Sequence, residues 1–464
     1  MRRRDTQKHK REPLPALNLD ALDRPLSDAV REVLDPLDLI EAPGGYTVER
    51  MPNDGKHLRV ILEGRSLRIS APTTVGFLRG ISHFNTVLET GEIIEEEQQF
   101  ETNGVMLDCS RNAVATVDTV KAFLRYLALM GLNQLMLYTE DTYEVRDYPY
   151  FGYLRGAYSE FELSELDDYA SLLGIELVPC IQTLAHLKTT LHWPHGEGIR
   201  DTEDILLVDE PKTYAFITDL LEAASRPFRS RKIHLGMDEA HMLGLGRYLE
   251  QHGYQDRFEI MSRHLDQVSE IARSLELEPM IWSDMYFRLA YGGQYYAGDA
   301  DGDIPQEVKD RIPQDIGLVY WDYYHTDPAT YEQMLTQHRE LSDQILFAGG
   351  LWTWNGLKVN HGRMFATTEA ALQVCRQQGI QHVFATAWGD NGQETFLMEA
   401  LPGMQAYGEY GWRTEQPTRQ QILDRLEICS GTNAEAFYAM RLFDEVPRVE
   451  QDNLDSQIVS KQVL

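Results

Sequence analysis

Basic residues are scarce in this 464-residue chain, which has 43 lysines and arginines against 73 aspartates and glutamates, a net charge of −30. Nucleic acids and anionic membranes are gripped through basic patches, so that balance argues against both as partners. Cysteine is also sparse. The four copies, Cys109, Cys180, Cys375 and Cys429, stand far apart and show no metal-ligand spacing. Cys109 and Cys180 fall in apolar, strand-like runs, as buried free thiols do, and few scattered thiols fit a reducing compartment. No run approaches the ~18 apolar residues of a membrane span. The basic start, Met1 to Lys10, is followed by no apolar core and does not read as a secretory signal. A cytoplasmic protein is expected.

What is present falls into four stretches. Residues 1–14 read as a disordered arm. A small α/β unit follows over 15–100, with a helix at 27–34 and strands at 46–51, 57–63 and 66–71. Leu58, Val60 and Leu62 alternate, as do Leu67, Ile69 and Ala71, with Gly64-Arg65 as the turn between. A helix over 74–88 lays Val75, Leu78, Ile81 and Val87 on one face. The acidic run Glu95-Glu96-Glu97-Gln98-Gln99 reads as a solvated link. From 101 to 407 short apolar runs recur near 104–108, 134–139, 175–181, 232–236, 279–283, 316–321, 345–349 and 382–387. Helical stretches lie between most of them, the first ending at Gly131. Eight strands alternating with helices over roughly 300 residues predict a (β/α)8 TIM barrel. A doubly wound sheet is the alternative, but no Gly-x-Gly-x-x-Gly follows any strand here. Residues 408–464 form a short helical C-terminal segment, either a dimer contact or the start of a larger helical domain.

A barrel of this kind works at the C-terminal ends of its strands. Those positions are rich in chemistry: Asp108 and Arg111; Tyr138, Glu140 and Asp141; Gln182 and His186; Asp238, Glu239 and His241; Trp282 and Asp284; Trp321, Asp322, Tyr323 and Tyr324; Trp352 and Trp354; Trp388 and Asp390. Six of the seven tryptophans are among them or in strand-end loops. Indole faces stack on sugar C–H faces while carboxylates and an arginine hydrogen-bond hydroxyls, so the cup suits a carbohydrate. The purely structural alternative is that these indoles cap the barrel. A metal centre is the rival chemistry. The position after the first strand reads Leu107-Asp108-Cys109-Ser110, not His-x-His, and the histidines are scattered, so no metal is expected.

Within this set the stretch Ile233-His-Leu-Gly-Met-Asp-Glu239 stands out, because two adjacent carboxylates follow an apolar run directly. Asp-Glu also occurs at 209–210 and 444–445, so the dipeptide alone proves little. Neighbouring carboxylates perturb each other's pKa, which suits a site needing one acid and one anion.

His234-Leu-Gly-Met-Asp-Glu239 resembles the His-x-Gly-Gly-Asp-Glu signature of family 20 glycoside hydrolases, the β-N-acetylhexosaminidases. Gly104-Val-Met-Leu-Asp-Cys-Ser-Arg111 resembles that family's first barrel strand and Thr139-Glu-Asp141 its second. Trp282, Trp321 and Ala387-Trp-Gly-Asp390 are similar to its later tryptophan positions, and Val75 to Gly80 to the end of its small preceding domain. The resemblance covers about residues 40–410. It implies an exo-acting, retaining enzyme that needs no cofactor and removes terminal β-linked N-acetylglucosamine or N-acetylgalactosamine. In that mechanism the substrate's own 2-acetamido group attacks, giving an oxazolinium intermediate. By the resemblance Glu239 is the general acid and base, and Asp238 orients the acetamido group. Trp282, Trp321 and Trp388 cage its methyl, with Trp354 or Trp352 completing the wall. Arg111 and Asp390 take the hydroxyls, and Asp141 with His186 supports the acid. Met237 replaces the usual second glycine and Asp390 the usual glutamate. These departures mark a divergent branch and leave open a β-glucosaminidase acting on non-acetylated sugars, or a silent sugar-binding barrel. The long segment 183–212 is a candidate substrate-facing loop.

Overall fold

The computed structural model describes residues 14–53, 55–296, 303–354, 356–390 and 392–443. The expected arm, all but Leu14, and the polar tail from 444 lie outside them, as does Asn391. No described helix is long and apolar enough to cross a membrane.

The first hundred residues fold around a six-stranded sheet. Its strands are β1 (Ala16–Asn18), β2 (Ile40–Glu41), β3 (Tyr46–Arg50), β4 (His57–Glu63), β5 (Ser66–Ser70) and β6 (Ile94–Glu97), in the order β2-β1-β3-β5-β4-β6. The β4–β5 hairpin pairs Val60 with Ile69 and Leu62 with Leu67, which is the register that the alternation of apolar residues predicts. Leu58, Val60, Leu67 and Ile69 are fully buried. Above them the expected helix over 74–88 is two helices, Thr74–Ser82 and Phe84–Thr90. They part at His83, whose buried ring meets the Glu96 carboxylate at 3.4 Å.

The acidic run is not a solvated link. It contributes β6, antiparallel to β4, and the period of two in a strand turns Glu96 inward while Glu95 stays exposed. A buried charge needs a partner, and that partner, Arg79, lies 17 residues away in the chain. Composition carries no trace of such a pairing.

From residue 102 the chain builds a closed barrel of eight parallel strands: β7 (Thr102–Asp108), β8 (Gln134–Tyr138), β9 (Glu176–Cys180), β10 (Lys232–His234), β11 (Glu278–Trp282), β12 (Gly317–Trp321), β13 (Ile345–Gly350) and β14 (His382–Ala387), with β14 pairing back to β7. Alternate residues serve two cores. Met106, Met136, Val178, Met280, Val319, Ala348 and Phe384 fill the interior, with Tyr138, Cys180 and Trp282. Their neighbours Val105, Leu107, Leu135, Leu137, Ile281 and Leu318 face the helices. The first of those helices, Val117–Met130, is capped by Thr116 and ends at Gly131 with φ 84°, as expected. Helix Leu401–Trp412 packs against β7, β14 and that first helix in the place of an eighth barrel helix, and the expected boundary at 407 falls inside it. The C-terminal helices Arg419–Ser430 and Ala434–Ala439 then follow.

One buried ionic joint ties the three parts together. Arg79 contacts the Glu96 carboxylate at 2.6 and 2.8 Å and Glu409 at 2.9 Å, and donates to the Met130 carbonyl at 2.7 Å. Glu409 also accepts from Gln405 at 2.9 Å and from Arg413 at 2.7 Å. The side chains of Arg79 and Glu409 are 0% exposed. Removing one partner of such a pair strands the others without water and costs about 3–5 kcal/mol. Arg79→Met is therefore expected to lower the unfolding free energy by about that amount in urea titration. Arg31→Met, at a surface pair with Glu41, should cost no more than about 1 kcal/mol. Equal losses would mean that the joint does not hold the parts together.

Candidate active site

The chain leaves β10 at His234 and does not continue as a strand. Gly236 (φ 74°), Met237 (φ 72°) and Glu239 (φ 51°) all adopt left-handed backbone. In a regular strand Asp238 and Glu239 would point to opposite sides; this bend turns both toward one cavity. A side chain at Gly236 would run into Gln182, so glycine is required there by space as well as by φ. Met237 is fully buried, and a non-glycine residue in that region costs about 1–3 kcal/mol unless its surroundings hold it. They do. Gly236 N–H donates to His234 Nδ1 (3.1 Å), Met237 N–H to Gln182 Oε1 (3.2 Å) and Glu239 N–H to Asp284 Oδ2 (3.1 Å).

The two carboxylates meet different surroundings. Asp238 is nearly buried, with its side chain 12% exposed, and both of its oxygens are engaged. Oδ1 accepts from Gln182 Nε2 at 2.8 Å and Oδ2 lies 3.3 Å from His186 Nε2. Burial works to raise its pKa, but the His186 charge and the hydrogen bond from Gln182 outweigh it and hold the carboxyl down at about 2. His186 responds in kind: burial would lower it, yet Asp238, Glu140 and Glu239 raise it to about 9. Glu239 is 38% exposed, and its Oε1 lies 3.1 Å from Arg288 Nη2. One carboxylate is thus a locked anion, and the other stands at the open side.

Around them lies a cavity of about 280 Å³, lined by Arg111, Tyr138, His186, Asp238, Glu239, Trp282, Trp321, Tyr323, Tyr324, Trp354, Trp388 and Asp390. Larger hollows exist, one between the small sheet and Trp412 and another at the barrel floor near Lys232 and His382; neither gathers this chemistry. Trp282 and Trp388 have centroids 6.0 Å apart, and Tyr138 meets Trp388 edge-on at 4.8 Å. Trp321 stacks on Tyr323 at 5.2 Å, Tyr323 packs on Trp354 at 5.2 Å, and Trp352 stacks behind Trp354 at 4.9 Å. The Tyr323 hydroxyl accepts from Trp388 Nε1 at 3.0 Å, which fixes one indole against the other side of the wall. Arg111 contacts Glu140 at 3.0 Å and Asp390 at 4.0 Å.

Nine of the eleven residues given a role by the resemblance share this cavity, with Trp352 standing behind its wall. Asp141 does not: its carboxylate turns to Arg155 at 3.3 Å, outside the lining. Adjacent residues at a strand end face opposite ways, and the left-handed Glu140 (φ 41°) takes the inward position, bonded to Arg111 and to the Tyr138 hydroxyl at 3.0 Å. Burial first, and then Asp108, push Glu140 up to about 7 against the pull of Arg111. Tyr138, Tyr323, Tyr324, Gln182, Glu140 and Asp284 stand among the strand-end residues, but the resemblance gives none of them a role. Arg288 was overlooked altogether, and the only trace of it is its i,i+4 spacing from Asp284 on helix Asp284–Ala290.

His186, Asp238 and Glu239 bring one potential metal-ligand atom each to within 4.8 Å of one another. Three donors match the number a catalytic zinc requires, but the charge balance does not favour a cation. Arg288 already pairs with Glu239, its Nη2 lying 3.1 Å from Oε1.

Residues 100–300 match the catalytic domain of glycosyl hydrolase family 20. Hexosaminidase D of Bos taurus is 26% identical over 210 residues, 42% of this chain and 55% of that protein. The β-hexosaminidase of Vibrio furnissii is 22% identical over 283 residues, 50% of this chain and 46% of that one. The chain thus spans about half the length of these relatives. Among solved structures, a Streptomyces plicatus β-hexosaminidase mutant with bound GlcNAc superposes with a TM-score of 0.66 at 16% identity, covering 94% of this chain and 92% of that one. A family 20 exo-β-N-acetylglucosaminidase from Vibrio harveyi gives 0.66 at 17% identity, with coverages of 90% and 74%. These likenesses are to the fold, a barrel behind a small α/β domain. The catalytic-domain match covers β7 to β11 and so includes Asp238 and Glu239; over those residues the chain is similar to glycoside hydrolase family 20.

Proposed function

We propose that the protein is a retaining, exo-acting β-N-acetylhexosaminidase working by substrate assistance. The observation that carries this reading is the inequality of the two neighbouring carboxylates, Asp238 locked as an anion at the indole-lined end and Glu239 at the open side. An anion with both oxygens already engaged is poorly placed to attack a sugar carbon. It is well placed to accept the acetamido N–H and to offset the positive charge that develops as the acetamido oxygen bonds to C1. Glu239 then gives its proton to the glycosidic oxygen as the bond breaks, and takes one from water as the oxazolinium opens. Trp282, Trp321 and Trp388, backed by Tyr323 and Trp354, enclose the acetamido methyl. Arg111 and Asp390 take the ring hydroxyls. His186 keeps Asp238 ionised, and Glu140, rather than Asp141, supplies the second carboxylate near it.

The inner end of the cavity is closed by Tyr138 and Trp282, which belong to the barrel core. Its volume of about 280 Å³ falls just below the roughly 300–1,000 Å³ usual for ligand pockets. One terminal sugar fits that description better than the middle of a chain. The substrate class is accordingly an oligosaccharide or glycoconjugate ending in β-linked N-acetylhexosamine. Acetamido recognition also separates this reading from a glucosaminidase, which would have no methyl to place among the indoles.

Glu239→Gln is expected to lower turnover of an aryl N-acetylglucosaminide with a poor leaving group by about 10²–10⁴-fold, the usual worth of a positioned acid. A thiazoline mimic of the intermediate should inhibit the native protein competitively. Turnover of free-amine glucosaminides as fast as the acetylated ones would overturn the reading.

A pH test follows from the His186–Asp238 pair. His186→Asn removes the charge that opposes burial, so the Asp238 carboxyl rises from about 2 and becomes neutral at a higher pH. Inhibition by a cationic intermediate mimic should consequently be lost at higher pH in the variant than in the native protein. Identical inhibition profiles from pH 3 to 7 would show that His186 does not set that charge.

A further inference from the structure

Glu239 is held at both its backbone and its side chain by one turn of a neighbouring helix. Its N–H donates to Asp284 Oδ2 at 3.1 Å. The same oxygen accepts from Arg288 Nε at 2.8 Å, and Arg288 Nη2 reaches back to Glu239 Oε1 at 3.1 Å. The result is a closed ring of three residues, built on the i,i+4 pair at the start of helix Asp284–Ala290 directly after β11. The guanidinium is fixed from outside the ring as well. Its carbon lies 5.6 Å from the Tyr295 ring centroid and 5.8 Å from that of the cavity residue Trp321. The Arg288 side chain is only 14% exposed.

The two oxygens of Glu239 are thereby made different. Oε1 accepts from a permanent cation. Oε2 lies 3.6 Å from His186 Nε2, too far for a hydrogen bond, and is the oxygen without a donor among the described residues. We infer that Arg288 and Asp284 are positioning residues for the acid and base, and that Arg288 occupies Oε1 so that Oε2 carries the proton. This rests on the assignment of Glu239 proposed above. In the first step the Oε2 proton passes to the glycosidic oxygen, which keeps the electron pair of the breaking C1–O bond while the acetamido oxygen bonds to C1. The carboxylate formed on Glu239 keeps its charge-assisted bond to Arg288. In the second step Oε2 takes a proton from the water that attacks C1, while the C1–acetamido oxygen bond breaks and returns its electron pair to the acetamido group. Arg288 thus steadies the charge that appears on Glu239 between the steps, and Asp284 keeps Arg288 from swinging out to solvent.

The charged and titratable groups facing Glu239 are Asp238 and His241 on its own loop, His186 from the loop after β9, Asp284 and Arg288 on the helix, and Tyr324 after β12. Arg288 is the permanent cation among them, so its removal has a direction. The test compares the native protein with Arg288→Met and Arg288→Lys, measuring kcat/KM against pH for N-acetylglucosaminides with methyl, nitrophenyl and dinitrophenyl leaving groups. In Arg288→Met the alkaline limb, where the acid loses its proton, should move up by about one pH unit or more. The rate loss should be at least about tenfold larger for the methyl glycoside than for the dinitrophenyl glycoside, which needs no proton. Arg288→Lys keeps the charge but not the fork that reaches Oε1 and Asp284 together, so its limb should stay near the native position while the leaving-group dependence remains. An unmoved limb in Arg288→Met with equal loss on all three substrates would reduce Arg288 to a brace and overturn the inference. Should that variant fail to fold, Arg288→Lys decides alone: a loss that grows with leaving-group basicity supports the inference and a uniform loss refutes it. A native protein inactive on every N-acetylglucosaminide would instead overturn the assignment of Glu239, and this inference with it.

Discussion

The left-handed bend after β10 is the constraint on which the rest of the site depends. A strand delivers consecutive side chains to opposite faces, and a pair of adjacent carboxylates serves one sugar only if that rule is broken. Here it is broken at Gly236, Met237 and Glu239 together. The unfavourable backbone is held by acceptors from three directions: His234 from within the segment, Gln182 from the loop after β9, and Asp284 from the helix after β11. Each belongs to a different barrel unit. The closed barrel is what lets three units converge on one turn.

The same acceptors also divide the labour between the carboxylates. Gln182 uses its carbonyl for the Met237 N–H and its amide for Asp238 and the Tyr138 hydroxyl. One side chain therefore shapes the bend, fixes the anion and links it to Glu140 through Tyr138. Asp284 does the corresponding work for Glu239 through its N–H and through Arg288. Burial raises the Asp284 carboxyl to about 7, helped by Asp238 and opposed by Arg288, so its charge is sustained chiefly by the guanidinium beside it. Far from the cavity, the Arg79–Glu96–Glu409 joint follows the same rule: a charge enters the interior only where partners from other segments meet it.

Much of this was legible in the residues. The run-and-helix rhythm from 101 onward corresponds to the eight barrel strands, and the alternation within β4 and β5 gives their observed register. Barrel geometry points to the strand ends, and nine of the eleven residues given a role there surround one cavity. The failures share a physical cause. Glu140 and Asp141 are adjacent acids, and only the backbone angle at Glu140 decides which faces inward. Glu96 reads as part of a solvated acidic run because its partner lies in another element. Arg288 sits a full turn into a helix, where an arginine is ordinarily a surface residue.

Period and chemistry are local properties, so the chain by itself determined the barrel and the types of group available at each strand end. Orientation and charge state are not local. Which of two neighbouring acids is locked as an anion depends on His186 and Gln182, more than fifty residues before Asp238 in the chain. Which oxygen of Glu239 stays free depends on a guanidinium 49 residues further on. Electrostatic environment is a sum over everything that surrounds a group, and only the closed barrel brings those surroundings together.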